Sequence, residues 1–128
     1  MKRAFLAIVA GFVVWAVVAT VLNFGLRAGI SGYTAAEPTM AFTLGMKIAR
    51  LTLAVLASLA AGAAAGAIAP ARKGAAWLLG AFILALFIPA HVQLWAKFPV
   101  WYHLFFLVTL VPFVALGAAL TRNRMEPS

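Results

Sequence analysis

The sequence predicts an all-α protein: one integral membrane domain, a four-helix bundle running up-down-up-down. Three observations point there. The chain has 128 residues, of which 66% are hydrophobic and only 9% charged. A water-soluble domain of that length cannot hide so much apolar surface, so lipid must serve as its solvent. Four apolar runs, each long enough for a hydrocarbon core of about 30 Å, are separated by short stretches containing Gly, Pro or charge. The ten Lys and Arg residues mostly flank those runs, where they meet lipid phosphates.

The first run predicts a helix over residues 4–26, with Thr20 and Asn23 as its polar residues near the far end. Met-Lys-Arg followed by an apolar run could begin a signal peptide. The run from Ala4 to Leu22 is longer than a usual signal core and lacks a convincing small-residue cleavage site. A retained transmembrane helix is the expectation. Residues 27–39 form a connection broken by Gly29, Gly32 and Pro38, and carry Tyr33 and Glu37.

The second helix is expected over residues 38–69, since proline suits a first helical turn and Pro70 ends the run. Those 32 residues would measure about 48 Å at ~1.5 Å per residue, longer than the core needs. Leu51–Ala69 alone spans, leaving Lys47 and Arg50 at or above the interface, and a break or bend near Gly45 is open. Within this helix Ser58, Gly62 and Gly66 recur every fourth position, giving a flat small-residue face for close packing, with Ala7 and Gly11 of the first helix as a matching face.

Two further helices are expected over 75–95 and 101–120, each with an internal proline, Pro89 or Pro112. They form a hairpin around a Lys-Phe-Pro loop at Lys97–Pro99, crowded by Trp95, Trp101 and Tyr102. Such aromatics belong at the headgroup level. Lys2, Arg3, Arg72, Lys73, Arg122 and Arg124 lie on one side; Arg27 and Lys97 lie on the other, joined by Lys47 and Arg50 if those sit at the interface. The bias predicts a multi-pass protein with cytoplasmic termini.

On that topology the polar residues gather at the outer end. His91 and His103 fall at similar depth across the hairpin. The plain reading is a pair of interfacial imidazoles; the sharper one is a metal, haem or proton site with Glu37 as a third ligand. Lys47 and Arg50 read either as snorkelling anchors or as a basic pocket for a lipid headgroup or other anion. Glu37 reads as a counter-ion to Arg27, Lys47 or Arg50, and Asn23 as an interhelical hydrogen-bonding group.

The net charge of +8 is dispersed without the Lys/Arg clusters that nucleic acid requires, so no nucleic-acid partner is expected. The chain has no cysteine, which removes disulfides and thiolate chemistry. No nucleophile–base–acid set, phosphate loop or carboxylate pair is present, which weighs against an enzyme.

The stretches GFVVW, EPTMAFTLGMKIARL and LFIPAHVQLWAKFPVWYHL together resemble small, uncharacterised four-helix bacterial inner-membrane proteins. That resemblance implies the architecture and no particular chemistry or cofactor. Three functions compete. One is a structural or accessory protein packing through its small-residue faces against itself or a larger complex. Another is a small dimeric transporter or channel. The third is a metal-, haem- or quinone-binding protein built on the histidine pair.

Overall fold

The computed structural model of the chain describes residues 2–71 and 73–125. Arg72 of the basic loop and Glu126 of the tail lie outside the described residues. Four long helices dominate: α1 (Lys2–Gly29), α3 (Leu44–Ile68), α4 (Lys73–Gln93) and α5 (Val100–Met125). A single turn, α2 (Tyr33–Ala36), and a 3₁₀ turn at Glu37–Thr39 bridge α1 to α3, and a second 3₁₀ turn at Trp95–Lys97 bridges α4 to α5. All four long helices contain segments long and apolar enough to cross a membrane. Outward residues such as Phe5, Val9, Val13, Val17 and Val21, every fourth position along α1, are exposed and apolar, as a lipid-facing stripe must be.

The second long helix begins at Leu44 instead of near Pro38, and local chemistry sets the difference. Gly32 (φ 84°) and Met40 (φ 57°) both adopt the left-handed conformation, which turns the chain twice before α3. Thr43 then caps the helix: its hydroxyl accepts from the Met46 N–H at 3.2 Å, and the Met46 sulfur accepts from the Thr43 N–H at 3.5 Å. Pro38 sits in the 3₁₀ turn. At the other end, α3 stops at Ile68, just before Pro70, and the Arg3 guanidinium donates to the Ile68 carbonyl at 3.0 Å. Both α4 and α5 run unbroken through their prolines.

The helices alternate in direction, but their order around the bundle is α1, α3, α5, α4. The most closely packed pairs are α3–α5 and α1–α3, followed by α4–α5 and α1–α4; the consecutive helices α3 and α4 touch less than any of these. The small-residue face explains the closest pair. A Cβ on Gly62 would collide with the Val114 carbonyl, one on Gly66 with the Ala118 backbone, and one on Gly117 with the Leu59 carbonyl. The two backbones therefore interlock reciprocally, as closely packed helices in lipid do through small residues. Gly11 fits α1 against the Leu79 side chain of α4 and the Ala61 carbonyl of α3. The expected match of the Gly62–Gly66 face to α1 is thus replaced by a match to α5. The Thr121 hydroxyl adds a bond across the same seam, to the Ala63 carbonyl at 2.8 Å.

Candidate functional site

Both helix-to-helix connections on one side of the bundle, α1–α3 and α4–α5, close over the same end, and the polar side chains collect beneath them. Arg50 is the centre. It lies six residues into α3, about 9 Å from the helix start at ~1.5 Å per residue. Rather than snorkelling outward, its guanidinium turns into the bundle. Nε donates to the Tyr102 hydroxyl at 3.2 Å and Nη1 to the Tyr33 hydroxyl at 2.8 Å, and Tyr33 in turn donates to Asn23 Oδ1 at 2.9 Å.

Between the two tyrosines runs a ladder of stacked rings. Tyr33 stacks on Phe42 at 5.1 Å, Phe42 on Phe98 at 6.0 Å, and Phe98 on Tyr102 at 4.4 Å. Arg50 lies across this ladder, 4.8 Å from the Phe42 centroid and 6.0 Å from that of Phe98, distances at which ring faces attract a cation. Phe42 and Phe98 are both buried. Among the described residues the one ion pair is Arg27 with Glu37, so Arg50 has aromatic and hydroxyl partners but no carboxylate.

The Arg27–Glu37 pair is bidentate, with Nε to Oε1 at 2.6 Å and Nη2 to Oε2 at 3.0 Å. Hydrogen bonding from Arg27 holds the Glu37 carboxyl below the usual carboxylate range, with burial acting the other way. Of the three counter-ion assignments open to Glu37, Arg27 is the one realised. Lys47 lies one turn before Arg50 and is half-exposed.

The histidines meet. His91 Nδ1 and His103 Nδ1 are 2.6 Å apart and His103 Nε2 lies 3.3 Å from the Trp95 carbonyl. If His103 donates from Nε2 to that carbonyl, its Nδ1 accepts and His91 Nδ1–H donates, so both rings are satisfied as neutral imidazoles. His103 is fully buried, stacked under Trp95 at 4.5 Å and 12°, and His91 packs on Phe106 at 4.6 Å. Two nitrogens bound at ~2.0–2.1 Å to one tetrahedral metal would stand about 3.3 Å apart. The observed separation is that of a hydrogen bond. Among the described residues no three His, Cys, Asp or Glu side chains converge on a metal position, and Glu37 does not join the histidines.

A cavity of about 410 Å³ opens beside this cluster, within the range of small-ligand pockets. All four long helices line it. From α1 come Trp15, Ala19, Asn23 and Arg27, a stripe at every fourth position, with Thr20 beside them; Glu37 and Met40 come from the connection. Arg50 and Leu53 come from α3, Phe87 from α4, and Tyr102 and Phe106 from α5. Thr20 and Arg27 are exposed, so the cavity reaches the protein surface. Its floor is aromatic: Trp15 packs on Phe87 at 4.9 Å and Phe87 on Phe106 at 5.0 Å. Trp15 is fixed by its indole N–H, which donates to the buried Ser58 hydroxyl at 3.1 Å. Ser58, expected only as a packing residue, thus positions a cavity wall.

Of the residues singled out in the sequence, Arg50, Glu37, Asn23, Arg27 and Tyr102 share this cavity. His91 and His103 form a second group, with His91 packed behind the Phe106 wall, and Lys47 lines neither. Trp15, Phe42, Phe87, Phe98 and Phe106 are site residues that sequence reasoning missed. The α1 members had a legible signal in the every-fourth-residue spacing of Trp15, Asn23 and Arg27; the phenylalanines had none beyond general apolarity.

The chain matches no family model, no curated protein and no solved structure. Fold and site together define its class: an all-α, multi-pass membrane protein of four spanning helices, with an amphipathic cavity at one end.

Proposed function

We propose that the protein is a small accessory protein of the bacterial inner membrane, with cytoplasmic termini, that holds a membrane-soluble ligand in the cavity at its loop end. The observation that carries this reading is the cavity itself. One end is polar, formed by Asn23, Arg50 and Tyr102, and the other is an aromatic and aliphatic floor, formed by Trp15, Leu53, Phe87 and Phe106. A molecule with a polar head and an apolar body fits both ends at once. The excess of Lys and Arg beside the termini supports the orientation. The small-residue faces are used up inside the chain, between α3 and α5, so the accessory role rests on binding and not on assembly through those faces. The alternative of a transporter or channel would need a polar path through the terminal half. The core described there is Ala7, Ala61, Ala65, Leu79 and Ala118.

Mass spectrometry of the intact protein released from a mild detergent tests this reading. The expected result is a retained amphiphile at one per chain, lost in a Leu53→Trp variant that fills the cavity and keeps its helical content. Release of the bare protein, or equal retention by the two proteins, would contradict it.

A further inference from the structure

The cavity's charge balance points to the kind of head its ligand carries. We propose that the site binds an amphiphile with one anionic head, a carboxylate or phosphate, held by the free edge of Arg50. This inference rests on the ligand-binding role proposed above.

Two observations carry it. A guanidinium has five N–H donors, and two contacts of Arg50 are accounted for, to Tyr102 and Tyr33. Its Nη2 has no hydrogen-bond partner among the described residues, yet none of the described buried side-chain nitrogens or oxygens lacks one. Nη2 is therefore accessible, and Arg50 lines this cavity. The second observation is the missing counter-charge. The other cation on the cavity wall, Arg27, is neutralised by Glu37 through two hydrogen bonds, leaving Arg50 as the cavity-lining cation without an ion pair among the described residues.

An arginine at membrane depth is costly unless paired, and ionisable groups there mark ligand positions. The aromatic ladder and the two hydroxyls hold the guanidinium in place without neutralising it. They orient its edge into the cavity and leave the charge for an incoming anion. Guanidinium geometry favours planar carboxylate and phosphate oxygens, which accept two parallel N–H bonds. Opposite this edge, Trp15, Phe87 and Phe106 form the apolar floor. A small hydrophilic anion would leave that floor uncovered, whereas an alkyl chain covers it.

The test uses the full chain in dodecyl maltoside, an uncharged detergent. Binding is followed by NMR at the Trp15 indole and Arg50 guanidinium signals during titration with dodecanoate, dodecyl phosphate, dodecanol, dodecyltrimethylammonium, acetate and inorganic phosphate. The expected result is saturable binding of dodecanoate and dodecyl phosphate, at least tenfold tighter than dodecanol, with no saturation by dodecyltrimethylammonium or the two small anions. Arg50→Gln should weaken the two anionic amphiphiles at least tenfold and leave dodecanol unchanged. If dodecanol binds as tightly as dodecanoate, the anionic head is overturned and the cavity role stands. Inorganic phosphate binding as tightly as dodecyl phosphate overturns the amphiphile. If no probe moves the Trp15 signal, the cavity role itself falls. Should Arg50→Gln fail to fold, the ligand ranking on the unmodified protein decides alone.

Discussion

The two halves of the bundle are built on opposite principles. Near the termini, Gly62, Gly66 and Gly117 let the α3 and α5 backbones touch, and the core between them is mostly alanine, leucine and valine. Nothing there carries charge into the interior among the described residues. At the loop end the helices are separated by large rings, and the space between holds an arginine, two tyrosine hydroxyls, an asparagine and a pair of imidazoles. Close backbone contact gains dispersion energy in lipid, where there is no hydrophobic drive between helices. Buried polar clusters add little net stability and confine side chains to one arrangement. The terminal half holds the fold together; the loop half spends part of that stability on a site.

This contrast can be broken first at Gly62. Gly62→Val places a side chain against the Val114 carbonyl, a backbone atom that cannot move aside. Overpacking of this kind should destabilise the protein by about 3 kcal/mol. Denaturant titration in detergent, read by circular dichroism, measures it; a variant as stable as the parent would contradict backbone contact between α3 and α5 at Gly62.

At the loop end, His103→Ala removes a fully buried ring and leaves His91 without its partner, at a cost of about 2–4 kcal/mol. His103→Phe separates the two contributions. Recovery of most of the loss would assign the effect to packing under Trp95, and little recovery to the hydrogen bond.

Arg50→Met sharpens the comparison most. A methionine preserves the apolar stem and removes the unpaired charge. Removing a charge without a counter-ion is favourable, but the Tyr102 hydroxyl loses its partner, so the two effects oppose and stability should change by less than about 1 kcal/mol. A loss of about 3 kcal/mol or more would recast Arg50 as a structural residue.

The smallest effect belongs to Glu37→Gln. The folded carboxyl titrates below its unfolded value of ~4.3, because Arg27 donates to it. Its contribution is therefore complete above that value and is lost as pH falls through the folded pKa. The pair is exposed and salt screens it. The difference between Glu37→Gln and the parent should vanish below that pH and shrink at high salt, both read from thermal unfolding curves.

Much of the scaffold was legible from residues alone. The four apolar runs, the stop before Pro70 and the level placement of His91 with His103 follow from composition and helical rise, and all reappear in the fold. What was not legible depends on helix rotation. Whether Arg50 snorkels or turns inward is decided by which face of α3 meets Phe42, Phe98 and Tyr102, residues contributed by three separate segments. The start of α3 is hidden in the sequence because Pro38 is an obvious helix opener, while the Thr43 cap is completed by a methionine sulfur instead of the usual Glu or Gln. The small-residue stripe announced close packing correctly but not its partner. Gly117 on α5, which completes the interlock, sits alone in its run and gives no periodic signal.

The most direct test of this division of labour compares the unfolding free energy of the parent and Arg50→Met in dodecyl maltoside, without and with dodecyl phosphate. A ligand present at 100 times its dissociation constant stabilises a folded protein by about 2.7 kcal/mol. That increment should appear in the parent at such a concentration and fall to about 1.4 kcal/mol or less in Arg50→Met, where binding is at least tenfold weaker. Equal increments in both proteins, or none in either, would contradict the assignment of Arg50 as the anion-holding group of the loop-end cavity.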